Sequence, residues 1–537
     1  MSSHAQAPLA VADIVIVGAG SAGGALAARL TEDPSVSVCV IEAGPPADSI
    51  WLTMPLGFFR VIGKRPYDWC FKTAPESELN GREIPWPRGR TLGGTSAING
   101  QIYVRGQSGD YDAWAAAGCT GWGWSDVLPY FMRSMHQTRG ADAANGVGGP
   151  LWVSDVELDP LSAAFMEACK RDGLPHRADF NTGSNEGVGR YQLTTRNGRR
   201  GSIARTFLAA ADGRPNLRLI TNAQVLSVDF DGRRATGVRV LKDGAEHLVL
   251  ARREVVLSAG AIQSPQILQL SGIGPRALIE RHGIKVLHDL PGVGRNLHDH
   301  LQTRIAYRAS QPVSANAIYH STMLRMREFA RYLFTGRGLL AEMFFRAGAF
   351  YRSSAEVERA DIQLHFGIMS VERAGGAPHP FPAFTISVCQ LRPRSRGCIE
   401  ITSADPLAAP RIVANYLADP YDQQVMVRGV RRAQRIAATA PLSQFVAGPL
   451  SPDRIDLSDD ETLADIRERG ISLYHPVGSC RMGTDADAVV DPQLRVNGID
   501  GLRVVDASIM PSVVSGNTNA PAIMIGEKAA DLMRRRP

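Results

Sequence analysis

A short stretch near the start, Asp13 to Glu42, restricts the fold more than any other part of the chain. Ile14-Val15-Ile16-Val17 is an apolar run of strand length, Gly18-Ala19-Gly20-Ser21-Ala22-Gly23 is a glycine-rich turn, and Gly24 to Leu30 follows at helical spacing. A second apolar run, Val36 to Ile41, ends in Glu42. This order predicts a βαβ unit. Gly18 permits the tight turn, Gly20 lets a pyrophosphate approach the backbone beside Ser21 and Ala22 at the positive helix end, and Gly23 brings helix against strand. Glu42 is placed to accept hydrogen bonds from an adenosine ribose, and an acid there disfavours a 2′-phosphate. The unit predicts a bound dinucleotide without choosing between FAD and NAD. Gly272-Ile273-Gly274 and Gly292-Val293-Gly294 lack the strand, turn and helix setting, so no second site for NADPH is expected.

The rest of the chain bounds what such a dinucleotide can serve. At 537 residues it exceeds one ordinary core, and two intimately joined domains, or one large domain with a substantial insertion, are expected. Lys and Arg number 59 against 53 Asp and Glu, and the net +6 forms no basic stripe, which argues against a nucleic-acid partner. Seven dispersed cysteines without a CxxC pair read as reduced thiols of a cytoplasmic protein. Residues up to Asp13 lack the features of a secretory signal, and no run approaches the ~18 apolar residues of a membrane span.

Four further segments carry a family likeness. Gly89-Arg90-Thr91-Leu92-Gly93-Gly94-Thr95-Ser96-Ala97-Ile98-Asn99-Gly100 and Gly260-Ala261-Ile262-Gln263-Ser264-Pro265 through Gly274 resemble the two signature motifs of the glucose-methanol-choline oxidoreductases. Tyr474-His475-Pro476-Val477-Gly478 and Gly516-Asn517-Thr518-Asn519-Ala520-Pro521 resemble that family's two catalytic segments. The likeness runs from end to end and is strongest toward the bacterial choline dehydrogenase and aliphatic alcohol dehydrogenase branches. It implies FAD as the cofactor. It also implies FAD contacts at Ala43, Gly93, Gly94, Asn99, Gly100, Val225, Ala259, Asp506, Ala507, Asn517 and Thr518, beside those of the βαβ unit. Some relatives link FAD covalently to a histidine where this chain has Ile98, so the cofactor is expected to be held non-covalently.

The fold class that follows is α/β, or α+β overall: a Rossmann-like FAD-binding domain with an interleaved substrate domain built on an antiparallel sheet flanked by helices. The expected segments are 1–156, 201–301 and 466–537 for FAD binding, the last with the catalytic residues, and 157–200 and 302–465 for the substrate domain. Leu217 to Val240 and Val249 to Ser258 have strand character, with turns at Asp231-Gly232 and Asp243-Gly244, and the second should return to the nucleotide sheet. Gly121-Trp122-Gly123-Trp124 and the loop from Gly140 to Gly149 read as surface connections. Arg325 to Phe334 reads as a basic amphipathic helix with a solvated face. A final helix is expected from about Pro521 to Met533.

Oxidising a carbinol through a flavin needs an acceptor for the hydroxyl proton. A histidine near ~6.5 suits this, and the resemblance makes His475 the base. By the same resemblance Asn519 orients the substrate oxygen and stabilises it as charge develops, with the following helix aiming its positive end at the flavin. His298-Asp299-His300 makes no familiar zinc set, and no metal is expected. Tyr474 and Arg346 are candidate substrate contacts. Arg346 stands where choline-oxidising relatives carry a glutamate: either it faces the substrate, repelling choline and favouring neutral, carbonyl-bearing or carboxylate-bearing alcohols, or it turns away and pairs with a surface acid, and in both cases choline is expected to be a poor substrate. The implied partners are a small alcohol and an electron acceptor, a quinone or oxygen. A quinone leaves open peripheral contact with the inner membrane. Lyases and photodecarboxylases of similar fold are the alternatives, and retention of both His475 and Asn519 speaks for alcohol oxidation over photodecarboxylation.

Overall fold

A computed structural model describes residues 7–371 and 376–534, so the outer ends of the first and last expected segments lie outside the described residues. The first apolar run becomes the strand Ala10–Val17, which pairs in parallel with Val38–Ile41 on one side and with the long strand Ala245–Leu257 on the other. Leu217–Ile220 extends the parallel sheet beyond Val38–Ile41, and Leu502–Val504 adds to the far end of Ala245–Leu257. Burial on both faces explains why residues 14–17 and Val38–Ile41 at the centre of the sheet are continuous apolar runs without alternation. The two Asp-Gly turns connect Ala223–Asp231, Arg234–Lys242 and Ala245–Leu257 into an antiparallel meander at the edge of the same sheet.

A second seven-stranded sheet is antiparallel and contains Val446–Ser451, Leu301–Ala309, Ala383–Gln390, Ile362–Gly367, Phe345–Tyr351 and Gly187–Arg190 in that order. Ile471–Ser472 pairs with the start of Leu301–Ala309, so this sheet draws one short strand from beyond position 465. Strand alternation divides its side chains between two faces. Val388, Ile386, Leu364 and Phe366 are fully buried on one face, toward the helices Pro160–Arg171 and Pro420–Ala437. Gly429 of the second helix sits so close that a Cβ would lie 2.7 Å from Val388. The other face, with Gln302, Arg304, Ala306, His365 and Thr385, looks into a large cavity.

The segment around Trp122 differs from its expected surface role. Trp122 is fully buried and donates through Nε1 to the Pro492 carbonyl at 3.0 Å, while Trp124 opens the helix Trp124–Ser134. The flanking glycines give the turn its shape, and the indole supplies the apolar area that holds the turn inside.

Candidate active site

The cavity has a volume of about 880 Å³ and lies between the ends of the parallel strands and the cavity face of the second sheet. At one end Gly18, Gly20, Ser21 and Ala22 line it, where the strand Ala10–Val17 turns into the helix Ser21–Leu30. A Cβ on Gly20 would meet nothing within 4 Å, so the backbone there is open to a ligand, and the helix start carries no side-chain cap. Gly23 faces away from the cavity. A Cβ there would lie 2.2 Å from the Gly18 carbonyl, the close helix–strand approach expected of it.

Glu42 and Ala43 close this end. The Glu42 carboxylate accepts from the Ala19 and Gly44 amides at 3.1 and 2.9 Å, and burial, only partly offset by these bonds, pushes its pKa up to about 7. Farther along, Gly94, Asn99, Gly100, Val225, Ala259, Asp506 and Ala507 line the walls. Gly93 lies behind them in a left-handed turn with φ of 91°, its amide donating to the Ala19 carbonyl. Asp506 accepts from Gly260 N, Ser264 Oγ and Ser508 N, which ties the last parallel strand to the helix Gly260–Leu270. An uncapped helix start, an open backbone above it and a buried carboxylate beyond form a donor and acceptor set that fits FAD.

At the other end His475 projects from a tight turn. Its neighbour Tyr474 has φ of 68°, a conformation costing a non-glycine residue about 1–3 kcal/mol. Three bonds hold the turn: Tyr474 N to Ser472 Oγ at 2.7 Å, Arg88 Nη2 to the Tyr474 carbonyl at 2.6 Å, and His475 N to Asp299 Oδ1 at 2.6 Å. Asp299 also accepts from Tyr416 and Ser472. Tyr474 itself lines the cavity.

The protonation pattern of His475 follows from its partners. His300 Nε2 lies 2.9 Å from the Leu391 carbonyl, which can only accept, so that nitrogen carries hydrogen. The neutral His300 therefore offers Nδ1 as an acceptor, 3.0 Å from His475 Nδ1. His475 must then carry hydrogen on Nδ1 and leave the lone pair on Nε2. Burial, reinforced by His300, His365 and Arg88, holds His475 well below the ordinary histidine pKa, so the ring is a free base at neutral pH.

The structure separates the two asparagines and reverses their expected positions. Asn517 Nδ2 lies 3.3 Å from His475 Nε2, whereas Asn519 Oδ1 accepts from Ser21 Oγ at 2.7 Å. The final helix, Asn519–Arg534, begins two residues earlier than the sequence indicates, and this start turns the Asn519 side chain back toward the first βαβ helix. Thr518 and the helix's first turn still line the cavity, which places its positive end there.

Arg346 does not reach the cavity. The register slips between Phe345 and Ala347, leaving Arg346 as the bulged residue, and the bulge sends its guanidinium outward to Glu342 at 3.5 Å, Asp159 at 3.9 Å and the Glu157 carbonyl. The expected repulsion of choline by Arg346 therefore has no structural basis. Nor do His298 and His300 converge. His298 accepts from Val513 N at 2.8 Å and bonds the Asn296 carbonyl, supporting the segment before Asn517, while His300 supports His475. The sequence singled out this trio without finding these roles, because each depends on pairings more than 170 residues distant.

Comparison with known proteins bears on this arrangement. Residues 12–302 and 393–526 match two family profiles, both described as GMC oxidoreductase. The chain is 42% identical to an alcohol dehydrogenase [acceptor] of Pseudomonas putida over 98% of its own length and 96% of the other's. It is 40% identical, at the same coverage, to an oxygen-dependent choline dehydrogenase of Brucella anthropi. The crystal structure of pyridoxine 4-oxidase from Mesorbium loti superposes with a TM-score of 0.89 at 32% identity, covering 98% of this chain and 100% of that one.

Proposed function

The chain belongs to the GMC oxidoreductase family, FAD-binding enzymes that oxidise the CH–OH group of alcohols, and we propose that His475 and Asn517 together activate the alcohol. The observation that carries this reading is the 3.3 Å approach of Asn517 Nδ2 to the lone pair on His475 Nε2, inside the cavity that fits the cofactor. A hydroxyl resting against both from the cavity side donates to Nε2 and accepts from Nδ2. His475 then takes the proton, and Asn517 stabilises the oxygen as alkoxide character grows. His300 fixes the tautomer that makes this possible, and the Tyr474 turn fixes the ring. When bound, FAD supplies the hydride acceptor for the carbinol carbon. The product is an aldehyde or ketone.

Ile98, buried on the cavity wall, offers no nucleophilic atom, so FAD is held non-covalently and should leave in the supernatant on acid precipitation. The lyase alternative is not favoured, since the compared relatives are dehydrogenases and oxidases. Electrons leave to a quinone or to oxygen. Among the described residues no helix is long and apolar enough to cross a membrane. The helix Thr322–Thr335 supports peripheral contact: Met323, Met326, Leu333 and Phe334 are exposed beside Arg325, Arg327 and Arg331, an arrangement suited to an anionic bilayer. We place the protein in the cytoplasm, against the inner membrane. The test of the central reading is anaerobic bleaching of the bound flavin by a panel of aliphatic, aromatic, polyol and quaternary-ammonium alcohols; a flavin that stays oxidised with all of them overturns it.

A further inference from the structure

The cavity face of the second sheet carries a group that the chemistry above does not use. Arg304 lies directly opposite Ser387, and Ser387 directly opposite His365, so three polar side chains form one row across three adjacent strands. Neighbours in such a row stand ~4.5–5.5 Å apart at Cβ. Arg304 and His365 line the cavity.

Arg304 differs from the other arginines around it. Arg469 is ion-paired with Asp465, Arg82 donates to the Leu79, Arg467 and Gly470 carbonyls, and Arg88 donates to the Pro87 and Tyr474 carbonyls. Arg304 Nε is buried without a partner, and among the described residues no carboxylate lies within ion-pair distance of its guanidinium. The row shares this deficit. His365 is 2% exposed with both ring nitrogens unbonded, and Ser387 Oγ is buried and unbonded. A half-buried guanidinium that faces a cavity with its Nε unpaired and no counter-charge beside it is poorly satisfied, and it stays charged at any working pH. The missing group is therefore an anion that the described residues do not provide.

We propose that Arg304, with Ser387 and His365 beside it, recognises a carboxylate on the alcohol oxidised at His475, making the substrate a hydroxy acid. The inference rests on the alcohol-oxidising reading of the cavity. One planar guanidinium matches one carboxylate in charge and fork geometry, whereas a phosphate dianion would leave a second charge unbalanced. His365 also acts electrostatically on His475, so the row begins beside the base and ends at Arg304. Two strand spacings, roughly 9–10 Å of backbone, separate Arg304 from His365, which calls for several bonds between carbinol and carboxylate.

The experiment uses FAD-loaded protein. Anaerobic flavin reduction is followed with 4-hydroxybutanoate, 6-hydroxyhexanoate and 8-hydroxyoctanoate, each against its methyl ester and the parent alkanol. In parallel, hexanoate and hexanamide are titrated while the oxidised flavin spectrum is read. At least one acid should bind roughly 10–100-fold tighter than its ester, the range of a hydrogen bond to a charged group, with hexanoate preferred over hexanamide by a similar factor. Arg304→Gln should abolish both preferences and Arg304→Lys restore part of them; the wild-type comparisons decide the matter even if a variant fails to fold. Alkanols that reduce the flavin while acids and hexanoate gain nothing overturn the carboxylate site alone. Tight, Arg304-dependent hexanoate binding with no reduction by any alcohol supports the site and overturns the alcohol-oxidising reading instead.

Discussion

Replacing His365 by leucine is expected to remove about one proton's worth of acid sensitivity from folding. His365 is buried with neither nitrogen bonded, and burial lowers its pKa to about 3, against ~6.5 in the unfolded chain. Between those values the unfolded chain holds a proton that the folded protein refuses. Stability present above pH ~6.5 is therefore lost as pH falls, and the loss levels off only near the folded value. From pH 7.5 to 5.0 one such group costs about 2 kcal/mol. A chain of this length unfolds with an entropy of about 1.1 kcal/mol/K, so the change corresponds to about 2 °C of melting temperature. His298, lowered to about 3, and His300, lowered to about 4, behave alike and remain in the variant. Glu42, raised to about 7 by burial, acts in the opposite direction, but equally in both proteins. Thermal unfolding of FAD-loaded protein, read by tryptophan fluorescence at one scan rate, should show His365→Leu keeping about 2 °C more of its melting temperature at pH 5.0 than wild type does. Parallel curves would refute the reasoning, because they would mean that His365 is protonated in the folded protein or titrates without linkage.

The catalytic groups give three further expectations. His475→Ala should retain FAD yet lose roughly 10²–10⁴-fold in anaerobic flavin reduction, and unchanged reduction would place the base elsewhere. Because burial holds the His475 pKa below its ordinary value, the wild-type reduction rate should stay flat from pH 8 to below ~6.5, falling only in more acidic solution; an inflection at or above ~6.5 contradicts the buried free base. Asn517→Ala should slow reduction by roughly 10²–10³-fold, as removal of an oxyanion donor does, while Asn519→Ala mainly weakens FAD retention through the lost Ser21 bond; stopped-flow reduction that is slower in the Asn519 variant would reverse this assignment.

The parts legible in the sequence are those written locally. The βαβ unit shows itself because strand, turn, helix and acid lie within one short stretch, and the meander because its Asp-Gly turns are adjacent to the strands they join. What stayed hidden depends on geometry between distant segments. Nothing in Asn517-Thr518-Asn519 tells which asparagine faces the base, since that is set by where the final helix begins. A bulge at Arg346 is equally silent, and alternation alone would have counted it as one of two faces. Trp122 looked like a loop residue because its turn is glycine-rich, and only the carbonyl of Pro492, 370 positions away, shows why it is inside. Arg304 drew no attention because an arginine in a strand gains meaning only once its missing partner is seen.

The final helix has a consequence for how the protein is made. Asn519 meets Ser21 across 498 positions, Glu527 is fully buried against Arg29 and Arg133, and a Cβ on Gly526 would lie 2.3 Å from the Ala22 carbonyl. The first helix leaves the ribosome 498 positions ahead of the residue that meets it. At about 5–20 residues per second, roughly half a minute to a minute and a half separates the two. Flavin capture is accordingly expected to wait until the helix Asn519–Arg534 has emerged, so that a chain terminated before Asn519 stays colourless.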